Sequence, residues 1–150
     1  MEKIEQTVLD IEKLVVEVFL MIQHEFGTEY DNRLSSNQQM ILYLIGRQEV
    51  HYVKDLSYHM NVSASAVSQM LSKLEQMKLV KREPDESNRR TVPFVLDSEG
   101  LLLLEHMEQT RQMIMKKYLT KIPEDDLEHF RTVYEKLRNI MLEEQEGRTR

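Results

Sequence analysis

Residues whose types and spacing could do chemistry gather in the middle of the chain. Ser65, Ala66, Ser68, Gln69, Ser72 and Lys73 fall on one side of a helical stretch that starts at Ser63, itself a candidate DNA contact. Its other side carries Val67, Leu71 and Leu74. The first set is small or polar and nearly uncharged, whereas an ordinary solvated face is richer in Glu and Lys. Small residues let a helix backbone approach a DNA groove, and a few hydrogen-bonding tips can read base edges there. Gln69 can pair bidentately with adenine, and Ser65 or Ser68 can reach a base edge or a phosphate. Arg89 and Arg90 follow in a polar loop. An arginine in a narrow minor groove gains from the negative potential there. The alternative for this pair is bonding to Asp85 or Glu86. The expectation is one arginine on DNA and one holding the loop, without assigning which.

These residues need elements to position them. Residues 54–60 read as a short helix with Leu56 and Met60 inward, and Asn61 sits at a turn where a left-handed backbone is tolerated. Val62 packs with Leu56, and Ser63 caps the next helix. This is helix-turn-helix geometry. Residues 79–83 and 91–96, the latter alternating Val92, Phe94 and Leu96, read as two strands around the polar loop. A hairpin directly after a recognition helix is a wing. Pro93 removes one ladder donor from it.

The flanks are helical. Ile4, Val8, Ile11, Val15, Val18 and Ile22 form one apolar stripe, ending near Phe26 and Gly27 in a left-handed cap. Ser35 or Ser36 caps a helix through Ile41, Leu44 and Ile45, and 49–53 leans towards strand. A helix over 99–119 follows. Pro123 suits the start of a last helix striped by Leu127, Phe130, Tyr134, Leu137 and Met141, with 143–150 a charged, fraying tail. Stripes at both ends must be buried. A two-fold dimer is expected over a monomeric bundle.

Composition removes other function classes. With 150 residues the chain suits one domain. Four Gly and three Pro are too few for a turn-rich sandwich or barrel. The absence of Cys excludes thiol catalysis, thiolate metal sites and disulfides. His24, His51, His59, His106 and His129 include no pair at helical i, i+4 spacing, so no metal or other cofactor is expected. No serine shows a triad arrangement, and Asp125 and Asp126 read as helix N-terminal charge, so no enzyme is expected. No apolar run approaches a membrane span, and the N-terminus lacks a signal-peptide pattern, which suggests a cytoplasmic protein. Net charge is −6, yet residues 54–93 hold seven Lys or Arg against five acids. Screening lets such a segment bind phosphate locally. The competing reading is a winged helix that binds protein instead, marked by loss of Arg89 and Arg90 or by an acidic recognition face.

The run Asp55-Leu56-Ser57, Val62-Ser63, Ala66-Val67-Ser68, Leu74-Glu75, Leu79-Val80, Arg82, Asp85, Asn88-Arg89-Arg90 and Leu96 to Gly100 resembles MarR-type winged-helix transcription factors. The resemblance covers nearly the whole chain. It implies a mainly α fold with a small β-hairpin wing. A winged helix-turn-helix lobe, 35–96, would sit on a helical dimerisation body, 1–34 and 97–145, with the helix-turn-helix at about 53–76 and the wing at about 79–96. It also implies a bacterial homodimer on a pseudo-palindromic double-stranded DNA operator, usually a repressor released by a small aromatic or lipophilic effector. Phe19, Tyr30, Tyr43, Tyr52 and Met107 are candidates for the effector pocket, although such residues are more often core. By position Arg89 resembles the wing arginine placed in the minor groove. The chain departs from the family pattern at Asn88, where Asp is common, at Asp97, where Thr is common, and at Lys78, where Gly often ends the recognition helix.

Overall fold

The computed structural model describes residues 2–27, 33–84 and 91–148. In chain order these form α1 (Glu2–Phe26), α2 (Ser36–Arg47), α3 (Val53–Met60), α4 (Ala64–Gln76), β1 (Val80–Arg82), β2 (Phe94–Leu96), α5 (Ser98–Leu119) and α6 (Glu124–Arg148). The fold is mainly helical with one small hairpin, as expected. Two compact units divide the chain, Met1–Arg111 and Gln112–Arg150, with the division falling inside α5.

Helix starts follow local chemistry. Ser35, not Ser36, caps α2 in a reciprocal capping box with Gln38. Asp97 takes the Ser98 N–H on its carboxylate at 2.8 Å at the head of α5. The Pro123 carbonyl receives the Asp126 and Leu127 N–H groups, both at 3.1 Å, at the head of α6.

The core of the first unit is built where α2, α3, α4 and the hairpin meet. Ile41, Leu42, Leu56, Val67, Leu71 and Leu74 are fully buried, and Val80 and Phe94 close it from the wing side. Each such side chain contributes on the order of 2 kcal/mol by leaving water. Val62 and Met60 pack against this cluster as expected. Met77, at the C-cap of α4, is exposed.

Several expectations are corrected. No glycine takes a positive φ, so Gly27 is no left-handed cap; its place is where an added Cβ would sit 2.5 Å from the Gln23 carbonyl oxygen. The 49–53 stretch is not a strand, although His51 O accepts the Phe94 N–H at 2.8 Å. Both strands are shorter than the alternation suggests. Glu83 donates to the Pro93 carbonyl at 2.9 Å, and Pro93 has no N–H to return, so the ladder stops there. The charged tail continues α6 to Arg148 instead of fraying from 143, since Glu, Gln and Arg are good helix formers.

The stripe residues of α1 are exposed along almost its whole length in the single chain, from Ile4 at 71% to Val18 at 52%. Within the second unit Phe130, Tyr134, Leu137 and Met141 are likewise exposed, at 49–57%. Among the described residues no helix is long and apolar enough to cross a membrane.

Candidate nucleic-acid interface

The turn between α3 and α4 is held by local hydrogen bonds. Asn61 adopts the left-handed conformation, φ 52° and ψ 44°. Its N–H donates to Tyr58 O, and the Val62 N–H donates to Ser57 O, each at 3.3 Å. The Ser57 hydroxyl donates back to the Val62 carbonyl at 2.6 Å. That last bond was missed in the sequence, where Ser57 is one polar residue among many. Ser63 then enters α4 from an extended backbone, and its Oγ accepts the Ala66 N–H at 3.1 Å.

With the helix start fixed, α4 turns Val67, Leu71 and Leu74 into the core. The opposite face presents Ser63, Ser65, Ser68, Gln69, Ser72 and Lys73 to solvent, with Ala66 half-buried among them. Gln76 shares this exposed face and belongs with the candidates, a residue that helical spacing alone could have added. Glu75, the helix's single acid, stands two turns after Ser68 at the edge of this face, 40% exposed and paired with Arg82.

The hairpin follows within a few residues. Lys78 makes the turn with φ 59°, as its position in place of a glycine suggested. Leu79 N–H donates back to Leu74 O at 2.9 Å, and Asp97 N–H to Leu79 O at 3.0 Å. Gly100 lies so close that an added Cβ would stand 1.9 Å from that same Leu79 oxygen. β1 and β2 run antiparallel with Val80 opposite Leu96, Lys81 opposite Val95 and Arg82 opposite Phe94. Arg89 and Arg90, with Asp85, Glu86 and Asn88, lie outside the described residues.

The pocket candidates divide. Tyr43 and Met107 line one groove of about 280 Å³ together with Ser36, Gln39, Met40, Leu104, Glu108 and Arg111, between α2 and α5. Phe19 and Tyr52 are not among its lining residues. Phe19 is 58% exposed on α1, and Tyr52 is half-buried at the position before α3. Tyr30 lies outside the described residues. At the groove's edge Arg47 Nε and Nη2 donate to the two carboxylate oxygens of Glu108 at 2.9 and 2.8 Å. This paired bond raises the Arg47 pKa above its ordinary value and holds Glu108 below the usual carboxylate range, with partial burial of each opposing the shift. Among the described residues, no three metal-ligating side chains gather as an ion site would require.

Comparison with known proteins bears on this arrangement. Residues 34–92 match the model of the MarR family. The chain is 27% identical over 128 residues to the HTH-type transcriptional repressor MdtR of Bacillus subtilis (strain 168), covering 85% of this chain and 83% of that one. Among solved structures, the YusO protein from Bacillus subtilis superposes with a TM-score of 0.69 at 24% identity, over 90% of this chain and 96% of its own. A mutant of S. aureus MepR bound to an oligodeoxyribonucleotide gives a TM-score of 0.57 at 22% identity, over 85% and 97% of the two chains. MepR bound to ethidium bromide gives 0.62 at 21%, over 84% and 95%. At these identities the structural likenesses establish the fold.

Proposed function

We propose that this chain, whose residues 34–92 match the MarR family model, is a DNA-binding, winged helix-turn-helix transcriptional regulator of that kind, a repressor working as a homodimer on a pseudo-palindromic operator. The observation that carries the reading is the outer face of α4, small and hydrogen-bonding, with its one carboxylate, Glu75, at the edge and paired with Arg82, and anchored by the Ser63 cap and the Asn61 turn. In this reading Gln69, Ser65, Ser68 and Ser72 meet base edges or phosphates, and Lys73 supplies local charge. One of Arg89 and Arg90 reads the minor groove beside it, Arg89 by its position in the family pattern. Two copies place two such faces in successive major grooves, about 34–36 Å apart. The lobe that reads DNA is 35–96, and the helices on either side hold the two copies together. The repressor named MdtR supports the direction of regulation.

A small aromatic or lipophilic molecule in the groove between α2 and α5 releases the operator. Met40, Tyr43, Leu104 and Met107 offer it an apolar wall. Its polar end is set by charge: both Glu108 oxygens are taken by Arg47, whereas Arg111 makes no ion pair among the described residues. An anionic head group fits that arrangement. The ethidium-bound fold relative supports the aromatic part of this reading only, since ethidium is a cation.

The test is selection from a random-sequence duplex library, with the bound fraction sequenced. The reading expects a two-fold symmetric motif to be enriched. Recovery of the input distribution would contradict it and would favour a winged helix that binds protein.

A further inference from the structure

We propose that Arg82 is a positioning residue that fixes the direction of the wing relative to the recognition helix, and so sets which DNA sequence is read; the inference rests on the DNA-binding reading above. Arg82 closes β1 directly opposite Phe94. Its Nε lies 3.4 Å from Oε2 of Glu75 in the last turn of α4. Its guanidinium carbon stands 5.3 Å from the centroid of the Phe94 ring. One side chain therefore touches the recognition helix and spans both wing strands.

Phe94 gives Arg82 a firm seat. Its ring is buried, its N–H donates to His51 O at 2.8 Å, and its carbonyl oxygen lies 2.9 Å from His51 Nδ1. The covalent link from α4 to β1 is only the turn through Lys78. A turn fixes where a ribbon begins, not where it points, and a hairpin of two short strands has little stiffness of its own. A second tie, from the far end of β1 back to α4, fixes the direction. Arginine suits the task because one planar group can lie against a ring and meet a carboxylate at the same time, which a lysine ammonium does poorly.

The Arg82 side chain is 57% exposed and that of Glu75 40%, so a direct phosphate contact is the competing role. The two roles differ in sign at Glu75. If Arg82 binds phosphate, removing the nearby carboxylate frees it and tightens binding. If Arg82 orients the wing, losing Glu75 weakens specific binding just as losing Arg82 does.

The experiment uses a duplex selected by the wild-type chain, a scrambled duplex and a potassium chloride series, read by fluorescence anisotropy. Glu75→Gln and Arg82→Gln should each weaken binding to the selected duplex about threefold to tenfold. Both should bind the scrambled duplex as wild type does, with the wild-type salt slope, and Arg82→Lys should recover only part of the loss. Tighter or unchanged binding by Glu75→Gln, or a salt slope reduced by about one unit in Arg82→Gln, would overturn the proposal. Should Arg82→Gln fail to fold, Glu75→Gln carries the test alone. Should the wild type select no duplex, the DNA reading itself fails. Amide exchange then decides the role of Arg82: faster exchange at Glu83 and Phe94 in Glu75→Gln, with α2 unchanged, sustains it, and unchanged exchange overturns it.

Discussion

Among the described residues, three non-glycine residues hold left-handed backbones: Glu49 at φ 55°, Asn61 at φ 52° and Lys78 at φ 59°. Asn61 was legible from its type, since a short polar side chain tolerates this region. Lys78 was legible only through the resemblance, where a glycine often stands, and nothing about the type of Glu49 marks it. The conformation costs a lysine roughly 1–2 kcal/mol, part of which a glycine would return as unfolded-chain entropy. Lys78→Gly should therefore raise stability by up to about 1 kcal/mol in urea unfolding. A loss of stability would mean that the lysine side chain makes a contact that outweighs the strain. Gly100→Ala should act the other way. Its Cβ would meet the Leu79 oxygen, which belongs to backbone and cannot swing aside, so the wing base and α5 must part. A loss of about 2 kcal/mol or more is expected in the same assay.

At the scale of elements, buried positions recur at helical spacing in α2 and α4, whereas α3 buries Leu56 alone and is marked by the turn and cap that follow it. Ends were less legible. The wing strands stop where Pro93 lacks a donor, and α6 runs through a charged tail because charge does not terminate a helix. The Arg47–Glu108 pair joining α2 to α5 was invisible in the sequence, since its members stand far apart in the chain. It carries a pH prediction. The folded state lowers the Glu108 pKa through the arginine bond, so its contribution is present above the ordinary carboxylate pKa. It is lost as pH falls through the lowered folded value. Glu108→Gln should thus melt below the wild type near neutral pH, and the two curves should converge as pH falls below about 4. A constant gap through the acid range would show that charge is not what the pair contributes.

For the whole molecule, the helix-turn-helix was the most legible part because its turn, cap and two faces lie within a few residues of one another. The groove between α2 and α5 was the least, since half its lining, including Ser36, Gln39 and Arg111, carries no periodic signal. The exposed stripes on α1 and α6 are the strongest argument for a second copy. Sedimentation at micromolar concentration should give a dimer of the 17.9 kDa chain. Leu137→Glu should remove the dimer and much of the folded state together, and a folded wild-type monomer would contradict the assembly. The central claim is that this dimer reads sequence with the outer face of α4. Its most direct measurement is the affinity of wild type and Gln69→Ala for the selected duplex and for a scrambled one. The account predicts a loss of about 1–3 kcal/mol on the selected duplex and almost none on the scrambled one. Equal binding of a folded Gln69→Ala variant to the selected duplex would contradict it.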